Sequence, residues 1–291
     1  MSKKPPFLTA QNVRKMIPRR SADSYKGQNG HILIVAGSRG MSGAAVFVAR
    51  GALRIGAGLV TVAIVESERS VVAHQLPEAL TLPLPETSDG GISNDSLSVI
   101  QAYLQKRSIN VLAVGPGLSL SPSVAYVVKA LLKEWKQPLV LDADGLNNIS
   151  LDDLGNHPGL IITPHVIELA RLMRIGRDTI IHDRVHVAAN MARDYHLLCV
   201  LKGHHTVVTT GQTTRLNPTG NPAMATGGMG DVLTGVIAGL IGQGLKPWEA
   251  ACAGVYLHGL AGDLTRTSDR GLLATDIAEN LPKALSKIGV K

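Results

Sequence analysis

Residues 31–65 read HILIVAGSRGMSGAAVFVARGALRIGAGLVTVAIV. His31–Ala36 is an unbroken apolar run of strand length, which fits a strand covered on both faces. Gly37-Ser38-Arg39-Gly40 interrupts it. Ser42–Ile55 is rich in small residues and reads as a helix, and Gly58–Val65 reads as a second buried strand. Strand, glycine turn, helix, strand is a βαβ unit, which implies a parallel sheet.

The same alternation continues outward. Val111–Val114 reads as a strand ending in Gly115-Pro116-Gly117, followed by a helix over Ser123–Trp135. Pro138–Leu141 is a strand ending at Asp142-Ala143-Asp144, and Leu160–Thr163 is one ending at Pro164-His165. Helical patterns follow at Val166–Met173 and Asp178–Tyr195. Strands are expected at Leu197–Lys202 and Thr206–Thr210. Three apolar helices close the chain, at about Met229–Gly242, Pro247–Thr265 and Thr275–Ile288. Residues 76–98, with their Pro, Asp, Gly and Ser, read as a long loop. Residues 1–29 read as a leader, in which Thr9 caps a short helix stopped by Pro18. No linker, repeat or change of composition divides residues 30–291. The expectation is one α/β domain, a mostly parallel central sheet with helices on both faces. Such sheets bind ligands outside the carboxyl ends of their strands. Gly37, Gly117, Asp142, Asp144, His165 and Lys202 all fall at those ends.

Composition narrows the function. Apolar residues make up 45% of the 291 and charged residues 18%, a core-rich balance that excludes a disordered chain. Aromatics are 3%, too few for a base-stacking platform along single-stranded nucleic acid. No apolar run approaches about 20 residues, since Val232–Leu245 is short and glycine-rich. No signal core follows Lys3 and Lys4, so no membrane partner is expected. Cys199 and Cys252 read as buried small hydrophobes in a reducing cytoplasm. The net charge of +7 is not gathered into a stripe, which favours an anionic small molecule over a polynucleotide.

The strongest local signal is Asn217-Pro218-Thr219-Gly220-Asn221, then Ala225-Thr226-Gly227-Gly228-Met229-Gly230-Asp231, then an apolar helix. Glycines permit close backbone approach, and a helix start presents unpaired N–H groups and a positive dipole end. Together they make a cradle for a phosphoryl group. Asp231 has two readings. It is a first-turn acid stabilised by the helix dipole, or a base that takes a proton from an attacking hydroxyl. Among other polar residues, His258, Gly259 and Asp263 read as helix packing and internal hydrogen bonding. His182 and His186 stand at i and i+4 of one expected helix, but without a third ligand they read as a solvated face.

Gly-x-Gly-Asp before an apolar helix resembles the ribokinase-like superfamily. From Gly30 to Gly289 the chain is similar to the ADP- or ATP-dependent NAD(P)H-hydrate dehydratases. The matching pieces are GHILIVAGSRGMSGAAVFVARGALRIGAGLVTVA, GPGL at Gly115–Leu118, LDADGLN at Leu141–Asn147, TPH at Thr163–His165, LKGHHT at Leu201–Thr206 and NPTGNPAMATGGMGDVLTG at Asn217–Gly235. They occur in family order. The first and last pieces are specific, whereas GPGL or TPH alone is weak. Bifunctional members carry a separate N-terminal epimerase domain, which the 29 residues ahead of the core do not lead one to expect here.

The resemblance implies the chemistry. Hydrated NADH or NADPH is phosphorylated on its ring hydroxyl by ADP or ATP, and phosphate then leaves as the ring double bond forms. It implies Asp231 as base, with Gly228, Met229 and Gly230 as the catalytic cradle. It implies Ala44, Gly117, His165 and Asp231 as substrate contacts, and Lys202, Gly203, His204, His205, Thr206 and Gly230 as nucleotide contacts. Mg²⁺ is expected with the nucleotide, and Asp142, Asp144 and Asn147 are candidates for organising it. A stand-alone chain implies an ADP-dependent, cytoplasmic homo-oligomer, often a tetramer. The competing readings are a ribokinase-like small-molecule kinase of the hydroxyethylthiazole or pyridoxal type, and a nucleotide-sensing or nucleic-acid-binding protein.

Overall fold

The computed structural model describes residues 5–155 and 157–290, so Lys3 and Lys4 of the leader lie outside the described residues. The chain runs α1 (Ala10–Met16), β1 (His31–Val35), α2 (Ser42–Ile55), β2 (Leu59–Val65), α3 (Arg69–Gln75), β3 (Leu80–Leu84), α4 (Ser96–Lys106), β4 (Val111–Val114), α5 (Pro122–Glu134), β5 (Leu139–Leu141), α6 (Asp144–Asn147) and β6 (Leu160–Ile162). It continues through α7 (Val166–Met173), α8 (Arg177–His182), α9 (Arg184–Asp194), β7 (Leu198–Leu201), β8 (Val207–Thr209), β9 (Thr214–Leu216), α10 (Met229–Gly242), α11 (Pro247–Thr265) and α12 (Ala274–Lys287).

The strands form one sheet in the order β3-β2-β1-β4-β5-β6-β7-β8-β9. Every pairing from β3 to β7 is parallel, and β7-β8 and β8-β9 are antiparallel. Ile32 of β1 sits opposite Val60 on one side and Val111 on the other. Every residue of β1 is buried, as a strand with helices on both faces requires. Strands β1 to β3 advance in one direction across the sheet and β4 to β7 in the other. Right-handed crossovers therefore send the intervening helices to opposite faces. Helices α2, α3 and α10–α12 pack together on one face, and α4, α5 and α7–α9 lie on the other. The order reverses between β1 and β4, and such a switch point opens a crevice at the strand ends.

Helices α2 and α10 meet almost backbone to backbone. A Cβ on Gly235 would lie 1.9 Å from the Val48 carbonyl oxygen, and one on Gly51 would lie 2.4 Å from that of Val232. The seam depends on residues without a side chain.

Three features differ from the sequence reading. The expected loop over residues 76–98 contains the strand β3, paired in parallel with β2. Pro83 hides it, yet Pro is tolerated there because β3 is an edge strand and need not donate on its outer side. Strand β9 is likewise a short edge strand in a polar stretch. Finally, the helix expected over Asp178–Tyr195 is two helices. The chain breaks at Asp183, whose side chain caps α9 by accepting from His186 N at 3.2 Å. His182 and His186 therefore lie on different helices, and the i, i+4 spacing between them does not exist.

From Pro5 onward the leader packs against the core. Thr9 caps α1 by accepting from Asn12 N, and Leu8, Val13 and Ile17 are buried in the main core. Leu8 N donates to Leu216 O at 2.9 Å and Leu216 N to Pro6 O at 3.1 Å, so the leader extends the sheet edge beyond β9.

Candidate active site

The turns after β1 and β4 are joined across the switch point. Gly37 N donates to Pro116 O and Ser38 Oγ to Gly117 O, both at 2.8 Å. Gly117 has φ of 65°, and a Cβ there would lie 2.9 Å from both Ala44 Cβ and Met41 O. Only glycine fits, and its backbone lies against Ala44 in the first turn of α2. The two residues that the sequence pairs as substrate contacts are thus brought together. Arg39, in the turn after β1, reaches out to Glu86 at 3.0 Å and to Ser88 O at 3.1 Å.

Helix α10 begins beside this wall. Its N-cap is Gly228, in the left-handed region at φ 84°, and its first backbone amides have no partner within the helix. Asp231 stands in that first turn. Around it gather three further carboxylates and one lysine. Asp142 is buried and accepts from Lys202 Nζ at 2.6 Å and from Thr234 Oγ1 at 2.7 Å. Glu168 lies 3.6 Å from Lys202 Nζ and accepts from His165 N at 2.7 Å. Asp144 accepts from Ser119 N at 2.9 Å and from Asn147 Nδ2 at 3.3 Å. Asp231 alone of the four makes no hydrogen bond or ion pair to another described residue. Burial pushes its carboxyl up to about 7, Asp142 pushes the same way, and Lys202 pulls against them. Burial also pulls the Lys202 ammonium down, but Asp142, Glu168 and Asp231 outweigh it and hold the ammonium above the ordinary lysine range.

The geometry also shows how the candidate metal pair is held. The Asp142 carboxylate accepts from Lys202 and Thr234, and that of Asp144 from Ser119 and Asn147. No group of three or more His, Cys, Asp or Glu side chains among the described residues is placed to hold a metal ion.

His165 is the N-cap of α7. Its Nδ1 accepts from Ile167 N at 3.0 Å and Glu168 N at 3.3 Å, while about half of the side chain stays exposed. It therefore has a structural duty and an open face at a strand end.

Two cavities flank the fold. One of 420 Å³, beside Ile17, Arg20, Arg54 and Gln243, touches none of the glycine loops. The other, of 750 Å³, is walled on one side by Lys202, Gly203, His204, His205 and Thr206 and on the other by Asn217–Asn221, with Met229 and Gly230 at its base. The whole segment read as nucleotide-binding lines this larger cavity. Met229 itself is buried and contributes backbone rather than side chain.

The structure adds residues that sequence reasoning set aside or missed. Asp263 makes internal hydrogen bonds, as read, but they brace the cavity wall: it accepts from Gly220 N and Asn221 Nδ2, both at 3.0 Å. Asn217 Nδ2 and Thr219 Oγ1 donate to the carbonyls of Val255 and Tyr256 and so stitch the same loop to α11. His258 lines the cavity too, and burial lowers its imidazole to about 4. Glu168 carries no motif of its own, although a Glu three residues after a capping position is a recognisable helix-start signal, and Thr234 lies inside the quoted Asn217–Gly235 stretch without a role read for it. Arg184 of α9 donates to the carbonyls of Leu201, Lys202 and His204, holding the loop after β7 from below. Cys199 and Cys252 are buried free thiols, both pushed by burial to about 12, and take no part. Among the described residues no helix is long and apolar enough to cross a membrane.

Comparison with known proteins gives a consistent picture. A family model described as NAD(P)H-hydrate dehydratase matches residues 32–283. The bifunctional NAD(P)H-hydrate repair enzyme Nnr of Moorella thermoacetica is 44% identical over 97% of this chain and 54% of its own length. The chain thus spans about half the length of that relative. The ADP-dependent (S)-NAD(P)H-hydrate dehydratase of Listeria monocytogenes is 32% identical over 96% of this chain and 95% of its own. An ADP/ATP-dependent NAD(P)H-hydrate dehydratase from Bacillus subtilis, co-crystallized with ATP/Mg²⁺, superimposes with a TM-score of 0.87 at 32% identity, over 99% of this chain and 100% of that one.

Proposed function

The chain belongs to the NAD(P)H-hydrate dehydratase family, and from that premise we propose that it is an ADP-dependent (S)-NAD(P)H-hydrate dehydratase, a hydro-lyase with the family's ribokinase-like fold. The observation that carries the reading is Asp231. It is the one clustered carboxylate without a hydrogen bond, its carboxyl sits near 7, and it lies in the first turn of a helix whose free amides face the same space. A base poised near the working pH serves proton transfer best.

The reaction follows from the parts. The nucleotide occupies the 750 Å³ cavity with its terminal phosphate against the amides of Gly228–Gly230. The hydrated ring lies on the Ala44 and Gly117 wall, with His165 at its edge. Asp231 takes the proton from the ring hydroxyl. That oxygen forms its bond to phosphorus as the bond from phosphorus to the nucleotide breaks. Phosphate then departs with the C–O bonding pair, a ring C–H proton is lost, and the double bond forms. Phosphate leaves where hydroxide would not. Lys202 offsets part of the charge of Asp142 and Glu168, which lessens the negative charge beside the transferring group.

Among the described residues no three His, Cys, Asp or Glu side chains are grouped to hold Mg²⁺. We assign the ion to the phosphates it arrives with, where it offsets their charge, since Mg²⁺ commonly keeps its waters and leans on substrate oxygens. The reading also makes the enzyme cytoplasmic, supported by the two unpaired thiols, and a homo-oligomer, in keeping with the stand-alone members that it resembles. The test is direct. Purified protein is given hydrated NADH or NADPH with ADP or ATP, and the return of reduced-nicotinamide absorbance is followed. A phosphorylated product without that absorbance would instead mark a kinase that stops at the ester.

A further inference from the structure

We infer that Phe7, in the leader, is a positioning residue for nucleotide binding, its ring fixing the His205 imidazole as one edge of the nucleobase site. The inference rests on the nucleotide reading of the 750 Å³ cavity given above.

A nucleotide needs two kinds of contact. Its phosphates need amides and a cation, which Gly228–Gly230 and Lys202 supply. Its base is a flat ring and gains from another ring beside it. The cavity lining contains no Phe, Tyr or Trp; its rings are His204, His205 and the buried His258. The His204 and His205 rings stack with centroids 3.7 Å apart and planes inclined at 35°. Phe7 meets His205 edge to face, at 4.9 Å and 72°. Three rings thus run from the leader to the cavity wall, in a chain with two phenylalanines in all.

His205 is held in an unusual way. Its φ is 52°, a left-handed conformation that non-glycine residues persist in only where the surroundings impose it. Arg184 secures the loop from beneath, but it binds the carbonyls of Leu201, Lys202 and His204 and not that of His205. Phe7 meets the His205 ring from outside the loop. Phe7 is itself fixed. It pairs with Leu216, its neighbour Leu8 is 2% exposed, and the backbone on both sides of it is hydrogen-bonded to Leu216. Leu216 leads directly into Asn217 of the opposite cavity wall. The leader therefore braces both walls at once, one through a ring and one through the backbone.

The experiment uses the full chain with Phe7→Ala, Phe7→Leu, Phe7→Tyr and His205→Ala. Calorimetry measures binding of ADP and of inorganic pyrophosphate, which offers phosphates without a base. Phe7→Ala should weaken ADP about three- to tenfold, in line with the loss of one edge-to-face pair and of ring order, and leave pyrophosphate within about twofold. Phe7→Tyr should restore ADP binding and Phe7→Leu should not. His205→Ala should show the same selective loss, and adding Phe7→Ala to it should cost little more, because the two act as one unit. In steady state the KM for ADP should rise while that for hydrated cofactor stays put. Wild-type affinity in Phe7→Leu, or an equal loss of ADP and pyrophosphate in Phe7→Ala, overturns the inference while leaving the nucleotide reading intact. A wild-type protein that binds neither ADP nor ATP removes that reading and the inference with it.

Discussion

Replacing Asp231 with Asn should make the protein more stable and nearly inactive, and the stability gain should depend on pH. In the folded chain the Asp231 carboxyl holds its proton up to about 7, against an ordinary value of 3.8. The unfolded chain releases that proton first. Between these values the unfolded state binds fewer protons, so stability falls as pH rises, and above about 7 the full penalty is in place. A shift of that size corresponds to an upper bound of about 4 kcal/mol. That bound already includes the pull of Lys202, and relaxation around a group that is not fully buried reduces it, so the net gain at pH 8 should be about 2 kcal/mol, or roughly 4–8 °C in Tm. At pH 4 most of it should be gone. Over the same substitution kcat should fall about 10²–10⁴-fold, the range of a lost general base, and ADP should bind as well or better because a negative charge has left the cradle. In the wild type, kcat/KM should climb with pH up to about 7 and then level, and this limb should vanish in the variant. Thermal unfolding from pH 4 to 8, kcat and the ADP Kd on one preparation test every part. A variant less stable than wild type at pH 8, equally stabilised at both pH values, or retaining more than about a tenth of kcat would sink the argument.

Three further outcomes are expected. Turnover with ADP should exceed turnover with ATP in paired assays, and equal rates would reject the preference. Lys202→Ala should raise the KM for nucleotide, but its larger effect should be structural: the Asp142 carboxylate loses its buried cation, which costs about 3 kcal/mol or more, and the Asp231 carboxyl moves further up, carrying the acid limb of the rate profile with it. A stable Lys202→Ala with an unshifted limb would contradict the pairing seen here. His165→Ala should lose about 1 kcal/mol with the helix cap and raise the KM for hydrated cofactor. His165→Asn should recover the cap but not the KM, and full recovery of both would reduce His165 to a capping residue.

The parallel half of the fold was legible because its strands are continuous apolar runs punctuated by glycine. Val166–Met173, Met229–Gly242 and Pro247–Thr265 are helices over the spans the pattern marks. The edges were not legible, for a physical reason. An edge strand is covered on fewer sides and tolerates Pro83 or the polar residues of β9, so the signal that marks a buried strand is missing. The break at Asp183 was hidden for a similar reason, since both α8 and α9 continue one amphipathic pattern and only the capping geometry parts them. At the site, the residues on strand ends and in the glycine loop could be picked out. Asp142 could also be picked out, but not its ion pair, because the fold brings Lys202 to it across 60 positions of chain. Glu168, Thr234 and Asp263 act through contacts between segments distant in sequence, which no local pattern records.

The close seam between α2 and α10 bears on how the enzyme moves. Ala44 lies in the first turn of one helix and Asp231 in the first turn of the other, and the two helices touch through backbone at Gly51 and Gly235. Sliding one past the other would drive carbonyl oxygens into Cα atoms, so Ala44 and Asp231 are held in fixed register. What the first turns of α2 and α10 present to a ligand is thereby set by the fold before the ligand arrives, and does not wait on any adjustment between the two helices.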